Sequence, residues 1–308
     1  VSGATLKAIS STGMVVVSKA DGEVTNLDVA KVLEDCEENL TLGNRKIIQV
    51  FPLSYKLDGQ EVLGRLEGMH GTKLEAKAIF LTCSSQHLED LLEAVEEAGI
   101  KIIDVIPAPV SLGNFILTEK QKIVGVALVS IGDQTTNLSV FENGLLVSSQ
   151  TFAIGSSDIT NDIALGLKIP LELADQLKQG SADENVSNKK LNEIIEARLY
   201  DIFDSIDNHL KKIKRSGLLP AGVVFVGGGA NLKGLEEWSK SALKLPSTVA
   251  TIDMFHNSKT KLRDRAFATV LSLLTYTKDN DTPSDNPVSN LFKDLKSVIK
   301  SSIKQLLP

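Results

Sequence analysis

The stretch LVSIGDQTTNLSVFENG, residues 128–144, sets two apolar runs on either side of a short loop rich in Gly, Asp and Thr. Leu128, Val129 and Ile131 precede the loop and Leu138, Val140 and Phe141 follow it, a pattern that suits paired, half-buried strands. The loop, Gly132-Asp133-Gln134-Thr135-Thr136, offers a glycine where backbone can come close to a ligand. It also offers a row of N–H groups and hydroxyls, the donors that phosphate oxygens accept from. A plain hairpin turn satisfies the same local pattern, so these residues alone leave both readings open.

A second stretch, VFVGGGANLKGL at 224–235, adds to the first. A buried strand, three glycines (Gly227, Gly228, Gly229) and a helix expected directly after Ala230 put bare backbone where a flat ring or a phosphate fits. The N-terminus of that helix would favour an anion. A tight strand-to-helix packing turn is the competing reading.

The rest of the chain reads as α/β. Residues 5–9 and 13–18 are strand-like runs split by Ser10-Ser11-Thr12. Thr25 and Asp28 form a capping-box pair ahead of a helix whose buried stripe is Val29, Val32, Leu33 and Cys36. Residues 46–60 are strand-like with a break at Pro52, and 72–83 alternate through Leu74, Ala76, Ala78 and Phe80. A helix over 84–100 turns Leu88, Leu91, Leu92 and Val95 inward and stops at Gly99. Residues 101–107 read as a buried strand, followed by a helix through Leu112–Leu117. A third strand (145–154), helices behind Gly155 and Pro170, and a long helix over 189–215 come next. That helix presents Leu191, Ile194, Ile195, Leu199, Ile202, Ile206, Leu210 and Ile213 on one face. A last body helix covers 260–277.

The 308 residues carry a net charge of −6 and a pI near 5.4, which gives no reason to expect nucleic acid. Cys36 and Cys83 fit no metal-ligand spacing and read as reduced thiols, and the four histidines form no cluster. The sequence thus supplies neither a metal-ligand set nor a catalytic constellation. It carries no signal peptide and no apolar run long enough to span a bilayer. It begins with Val, and strand-like residues follow at once, as if inside a fold.

The end of the chain is of a different kind. A polar, Pro-interrupted linker at 278–289 leads to 290–308, where Leu291, Phe292, Leu295, Val298, Ile299, Ile303 and Leu306 share one helical face. Lys293, Lys296, Lys300 and Lys304 occupy the other. A helix docking on the core or on a partner would show this pattern. An in-plane anchor on anionic lipid accounts better for an acidic protein that ends in a basic amphipathic helix, each lysine near such a surface contributing about 1 kcal/mol.

Three motifs in order, SIGDQTTNLSVFENG, IGSSDITNDIA and FVGGGANLKGL, resemble the second phosphate loop, the following helix entry and the adenosine turn of the actin-like ATPase superfamily. Within it the chain is similar to the bacterial division protein family FtsA. GEVTNLDVAKVL, VFPLSYKLDGQ, GMHGTKLEAKAIFLTC and AGIKIIDVIPAPVSLGNFILTEKQK follow the family's order over the first 125 residues. ELADQLK and IIEARLYDI resemble its nucleotide helix and its Glu-x-Arg helix. The resemblance implies an actin-like (ribonuclease-H-like) two-domain α/β fold with a partial first domain. Residues 1–83 would be the extra FtsA-type α/β subdomain, and 84–122 with 260–277 the remainder of the first actin-like domain. Residues 123–259 would be the second, with a reduced small subdomain at about 179–219, and 290–308 the membrane-targeting helix.

By the same resemblance, ATP with Mg²⁺ would be held by Gly132, Asp133, Gln134, Thr135, Gly155, Asp175, Lys178, Gly227, Gly228, Gly229 and Ala230. The partners implied are FtsZ, further copies of the chain, later division proteins and an anionic membrane surface. The place implied is the cytoplasmic face of the cell membrane at the division site. Departures are specific. The family's first phosphate loop would precede residue 1. The acid that opens its second loop is Ser130, which predicts weak or absent hydrolysis, and Asp175 stands where the family has Glu. The insert between Lys178 and Lys189, part of the subdomain on which the FtsZ peptide docks, is nearly gone. A pilus-assembly relative of the PilM type and a scaffold that no longer binds nucleotide are the alternatives.

Overall fold

A computed structural model of the chain describes residues 1–181, 186–252 and 264–279. The amphipathic segment 290–308, most of the linker at 278–289, and part of the shortened insert lie outside the described residues. Two compact units are present, one built from 1–8, 44–49 and 81–276, the other from 9–43 and 50–80.

The second unit is built on a four-stranded sheet, β1 (Lys7–Val16), β2 (Arg45–Leu57), β3 (Gln60–Val62) and β4 (Lys73–Ser84), in the order β1-β4-β2-β3. Helix α1 (Asn26–Glu38) starts at the capping box read from the sequence. Asp28 accepts from the Thr25 N–H and hydroxyl and from the Ser18 N–H and hydroxyl. Val29, Val32, Leu33 and Cys36 are buried, and the Cys36 Sγ lies 3.5 Å from the Ala76 carbonyl of β4. Both cysteines are free and buried.

Two strand expectations are corrected here. Ser10-Ser11-Thr12 does not split β1, which runs unbroken because hydroxyl side chains are tolerated on a half-exposed ladder. Pro52 does not break β2 either. The strand runs without interruption from Arg45 to Leu57.

The larger unit holds α2 (Ser85–Glu97), α3 (Ala108–Ile116) and α4 (Glu119–Val124) ahead of its sheet. The sheet comprises β5 (Val126–Ile131), β6 (Thr136–Glu142), β7 (Leu145–Phe152), β8 (Val223–Val226) and β9 (Ser247–Val249), in the order β7-β6-β5-β8-β9. Helices α5 (Ser156–Leu167), α6 (Leu171–Lys178) and α7 (Asn188–Lys212) lie between β7 and β8, α8 (Leu235–Leu243) between β8 and β9, and α9 (Ala268–Asp279) ends the described chain. Odd-numbered residues of β5 (Ala127, Val129, Ile131) enter one core with Leu138 and Val140 of β6 and the inner faces of α5, α6, α7 and α8. Phe203, not read as inward, is fully buried there beside Phe225. Each such side chain contributes about 1.5–3 kcal/mol, so this face alone fixes the register of β5 and β6.

On the opposite face, α3 packs against β6, where a Cβ on Gly113 would meet the Phe141 ring at 2.3 Å. The Ser272 hydroxyl of α9 donates to Ser111 of α3 at 3.0 Å. Residues 101–107 are not a strand: they carry no regular structure, and Ile103 is 88% exposed. A strand needs a neighbouring strand to take its N–H and C=O groups, and among the described residues no strand pairs with this segment; the Ile106 carbonyl instead accepts from the Val1 ammonium at 2.6 Å. In α2 only Leu88 is buried, while Leu91 is exposed, contrary to the inward stripe expected.

Candidate functional site

β5 pairs antiparallel with β6 and parallel with β8, with Ser130 opposite Asn137 on one side and Val226 on the other. The hairpin turn at Gly132–Thr135 and the glycine turn at Gly227–Ala230 therefore leave the sheet side by side, at the carboxyl ends of two parallel strands. That edge is where open α/β sheets take ligands. The hairpin turn is tight, with the Gly132 N–H donating to the Thr135 carbonyl at 2.8 Å.

The glycines have different tasks. Gly227 has φ +90° and ψ 171°, a conformation only glycine adopts readily, and a Cβ there would lie 2.5 Å from the Ile131 carbonyl oxygen. A Cβ on Gly229 would meet the Ile131 side chain at 2.4 Å. Both let the glycine turn press on the end of β5. Gly228 meets only the Ala266 methyl at 3.7 Å, so it alone of the three presents bare backbone to open space.

Gly155 is likewise a contact glycine, since a Cβ would stand 2.2 Å from the Asp133 carbonyl oxygen. The first N–H groups of α5 are already committed to the hairpin. Ser156 donates to the Gly132 carbonyl at 2.9 Å and Ser157 to that of Asp133 at 2.8 Å, while the Gly155 N–H donates to Asp158. Lys178 stands behind this junction with its side chain largely buried. Its ammonium donates to Thr160 at 2.7 Å and to the Ser156 carbonyl at 3.2 Å, and pairs with Asp175 at 2.9 Å. The structure thus brings Gly132–Thr135, Gly155 and Gly227–Ala230 together, with Lys178 and Asp175 in support. Asp133 and Gln134 are exposed at the turn.

One expectation is corrected at the glycine turn. A helix does not begin directly after Ala230; a single 3₁₀ turn spans Gly228–Asn231, and α8 starts only at Leu235. Its first turn carries Glu236 and Glu237, and Glu236 accepts from the Val249 N–H at 2.6 Å, so that helix end already faces its own acids. A cavity of about 400 Å³ lies here, lined among others by Ala230, Asn231, Glu236 and Arg265. Arg265 donates to Asn231 at 2.8 Å, and Asn231 to Asp264 at 2.8 Å. The Ala266 N–H and the Asn231 amide hold the Asp264 carboxyl below its ordinary range.

The even-numbered face of β5 and its partners on β6 form a second cavity, of about 150 Å³, lined by Leu128, Ser130, Gly132, Thr135, Asn137 and Ser139. Pro109 and Leu112 of α3, with Ser2 and Thr269, complete it. The hydroxyls of Ser130, Thr135 and Ser139 and the Asn137 amide suit phosphate oxygens. The volume suits a phosphate group and falls below the 300–1,000 Å³ usual for a whole ligand. No carboxylate lines it, so the donor set does not fit a Mg²⁺ ion, which binds through oxygen ligands that usually include a carboxylate. Asn137, Ser139, Ser2, Thr269, Asn231 and Arg265 escaped the sequence reading. Period-two alternation from Ser130 points to Asn137 and Ser139 once the pairing register is known, whereas Ser2, Thr269 and Arg265 arrive from distant segments with no local signal.

The sheet order, the paired loops at one sheet edge and the helix layers define an actin-like protein. Solved structures agree on the fold. The PilM–PilN type IV pilus biogenesis complex matches at TM-score 0.62 and 15% identity over 88% of this chain and 76% of that one. MreB5 of Spiroplasma citri bound to ADP matches at 0.53 and 15% over 64% and 66%. The family model for cell division protein FtsA matches residues 127–272, and the model for the SHS2 domain inserted in FtsA matches residues 3–82. FtsA of Bacillus subtilis is 30% identical over 78% of this chain and 59% of its own length. FtsA of Pseudomonas aeruginosa is 25% identical over 90% and 71%. The chain belongs to the FtsA family of actin-like cell division proteins.

Proposed function

We propose that this chain is a peripheral tether that holds FtsZ filaments on the cytoplasmic face of the cell membrane at the division site, gated by bound nucleotide. One observation carries the nucleotide part: the hairpin turn Gly132–Thr135 and the glycine turn Gly227–Ala230 stand together at one sheet edge, with Gly228 offering bare backbone. Among the described residues, Gly132, Thr135 and Gly228 are those best suited to touch the nucleotide. Asp133, Gln134 and Ala230 flank it, and Gly155, Asp175 and Lys178 hold the loop that carries it. ATP is the nucleotide the family reading favours, and its phosphates would supply the negative charge these donors attract.

Ser130 bears on turnover. A hydroxyl there cannot hold a metal-bound water or orient an attacking one as a carboxylate does, so binding is expected without appreciable hydrolysis. The membrane part rests on the sequence of 290–308, whose apolar face and four lysines suit adsorption to anionic lipid. Among the described residues no helix is long and apolar enough to cross a membrane. FtsZ, further copies of the chain and later division proteins are the partners that follow from family membership.

Co-sedimentation with anionic vesicles tests the membrane part. The full chain should pellet, more weakly at moderate salt, and a chain ending at residue 288 should stay in the supernatant. If both remain soluble, the tail docks on protein and the tether reading is lost.

A further inference from the structure

Resting on the nucleotide reading, we infer that the cavity beneath the β5–β6 turn takes nucleotide phosphate through neutral donors alone, with no requirement for a divalent cation, and that Asn137 is its principal side-chain donor. The register of β5 on β6 sets Ser130 and Asn137 directly opposite each other, on the face away from the core. Both line the cavity together with Gly132, Thr135 and Ser139, and none of these carries a charge.

Asn137 is oriented. Its Oδ1 accepts the Thr151 hydroxyl at 2.7 Å, which leaves Nδ2 with two N–H donors and no other hydrogen bond among the described residues. A carboxylate at position 130 would repel phosphate, and a cation would have to bridge the two. With a hydroxyl there the repulsion is absent, and the amide opposite it supplies attraction outright. The nearby carboxylates serve elsewhere: Asp158 accepts the Gly155 N–H, and Asp133 is exposed and does not line the cavity.

Equilibrium dialysis of the full chain with labelled ATP, once with Mg²⁺ and once with EDTA, tests this without any variant. The two dissociation constants should agree within about threefold. Asn137→Ala should weaken binding about tenfold in both buffers, as expected for one hydrogen bond to a charged group. Ser130→Asp should weaken the EDTA value about tenfold and regain it with Mg²⁺, with circular dichroism confirming that each variant is folded. Wild-type binding that needs Mg²⁺ overturns this inference and leaves the nucleotide reading standing. Binding in neither buffer at millimolar ATP overturns the nucleotide reading, and this inference with it.

Discussion

Gly227 stands against Ile131 so closely that a Cβ added to the glycine would lie 2.5 Å from the Ile131 carbonyl oxygen. That approach locks the glycine turn after β8 to the end of β5, and so to the hairpin turn beyond it. The two loops form one rigid edge because three glycines permit it, and two of the three are needed for packing alone.

Gly227→Ala and Gly228→Ala should therefore separate packing from binding. The first meets both a backbone clash and a strained conformation and should cost about 2–4 kcal/mol, read as a lower urea midpoint. The second should stay within about 0.5 kcal/mol of wild type, while its ATP affinity falls. Equal destabilisation by both would show that the assignment of roles within the run is mistaken.

Lys178 gives a second test, because its ammonium is held by Thr160, the Ser156 carbonyl and Asp175. Lys178→Met removes the charge and keeps most of the apolar stem. It should lower stability by about 2 kcal/mol and raise amide exchange in the first turn of α5. ATP affinity should fall only as far as the loop loosens. A large affinity loss with unchanged exchange would mean that the lysine reaches the ligand itself.

A third prediction concerns acid. Burial raises the pKa of Asp28, but the hydrogen bonds from Ser18 and Thr25 outweigh it and hold the carboxyl well below the usual range. A carboxyl lowered in the folded state adds stability above its unfolded pKa of about 3.9. That stability is lost as pH falls from there toward the folded value. Amides of α1 should lose exchange protection as pH drops below about 4, and Asp28→Asn should remove this slope while lowering protection at pH 7. A slope unchanged in the variant would assign the acid sensitivity to other carboxyls.

Much of this was readable in the chain because it is local. The capping box at Thr25, the two apolar runs around Gly132 and the 3.6-residue stripe of α7 each depend on neighbours within a few positions. What failed depends on partners far away. Residues 101–107 have strand composition, yet no described strand takes their hydrogen bonds. Pro52 looked like a break, yet β2 runs through it from Arg45 to Leu57. At the site, the glycine run was visible in the sequence, but its division into packing and exposed positions required knowing that Ile131 is the neighbour. The cavity's far wall, from α3, Ser2 and Thr269, could not be read from any single segment.

The most direct test of the tether account is recruitment of fluorescent FtsZ to a supported anionic bilayer by the full chain with ATP present. The account predicts FtsZ filaments on the membrane with the wild-type chain. It predicts none when Leu295 and Ile299 are both changed to Asp, although that variant still binds ATP. Wild-type chain that coats the bilayer and leaves FtsZ in solution would contradict it, as would FtsZ recruitment that persists with the altered tail.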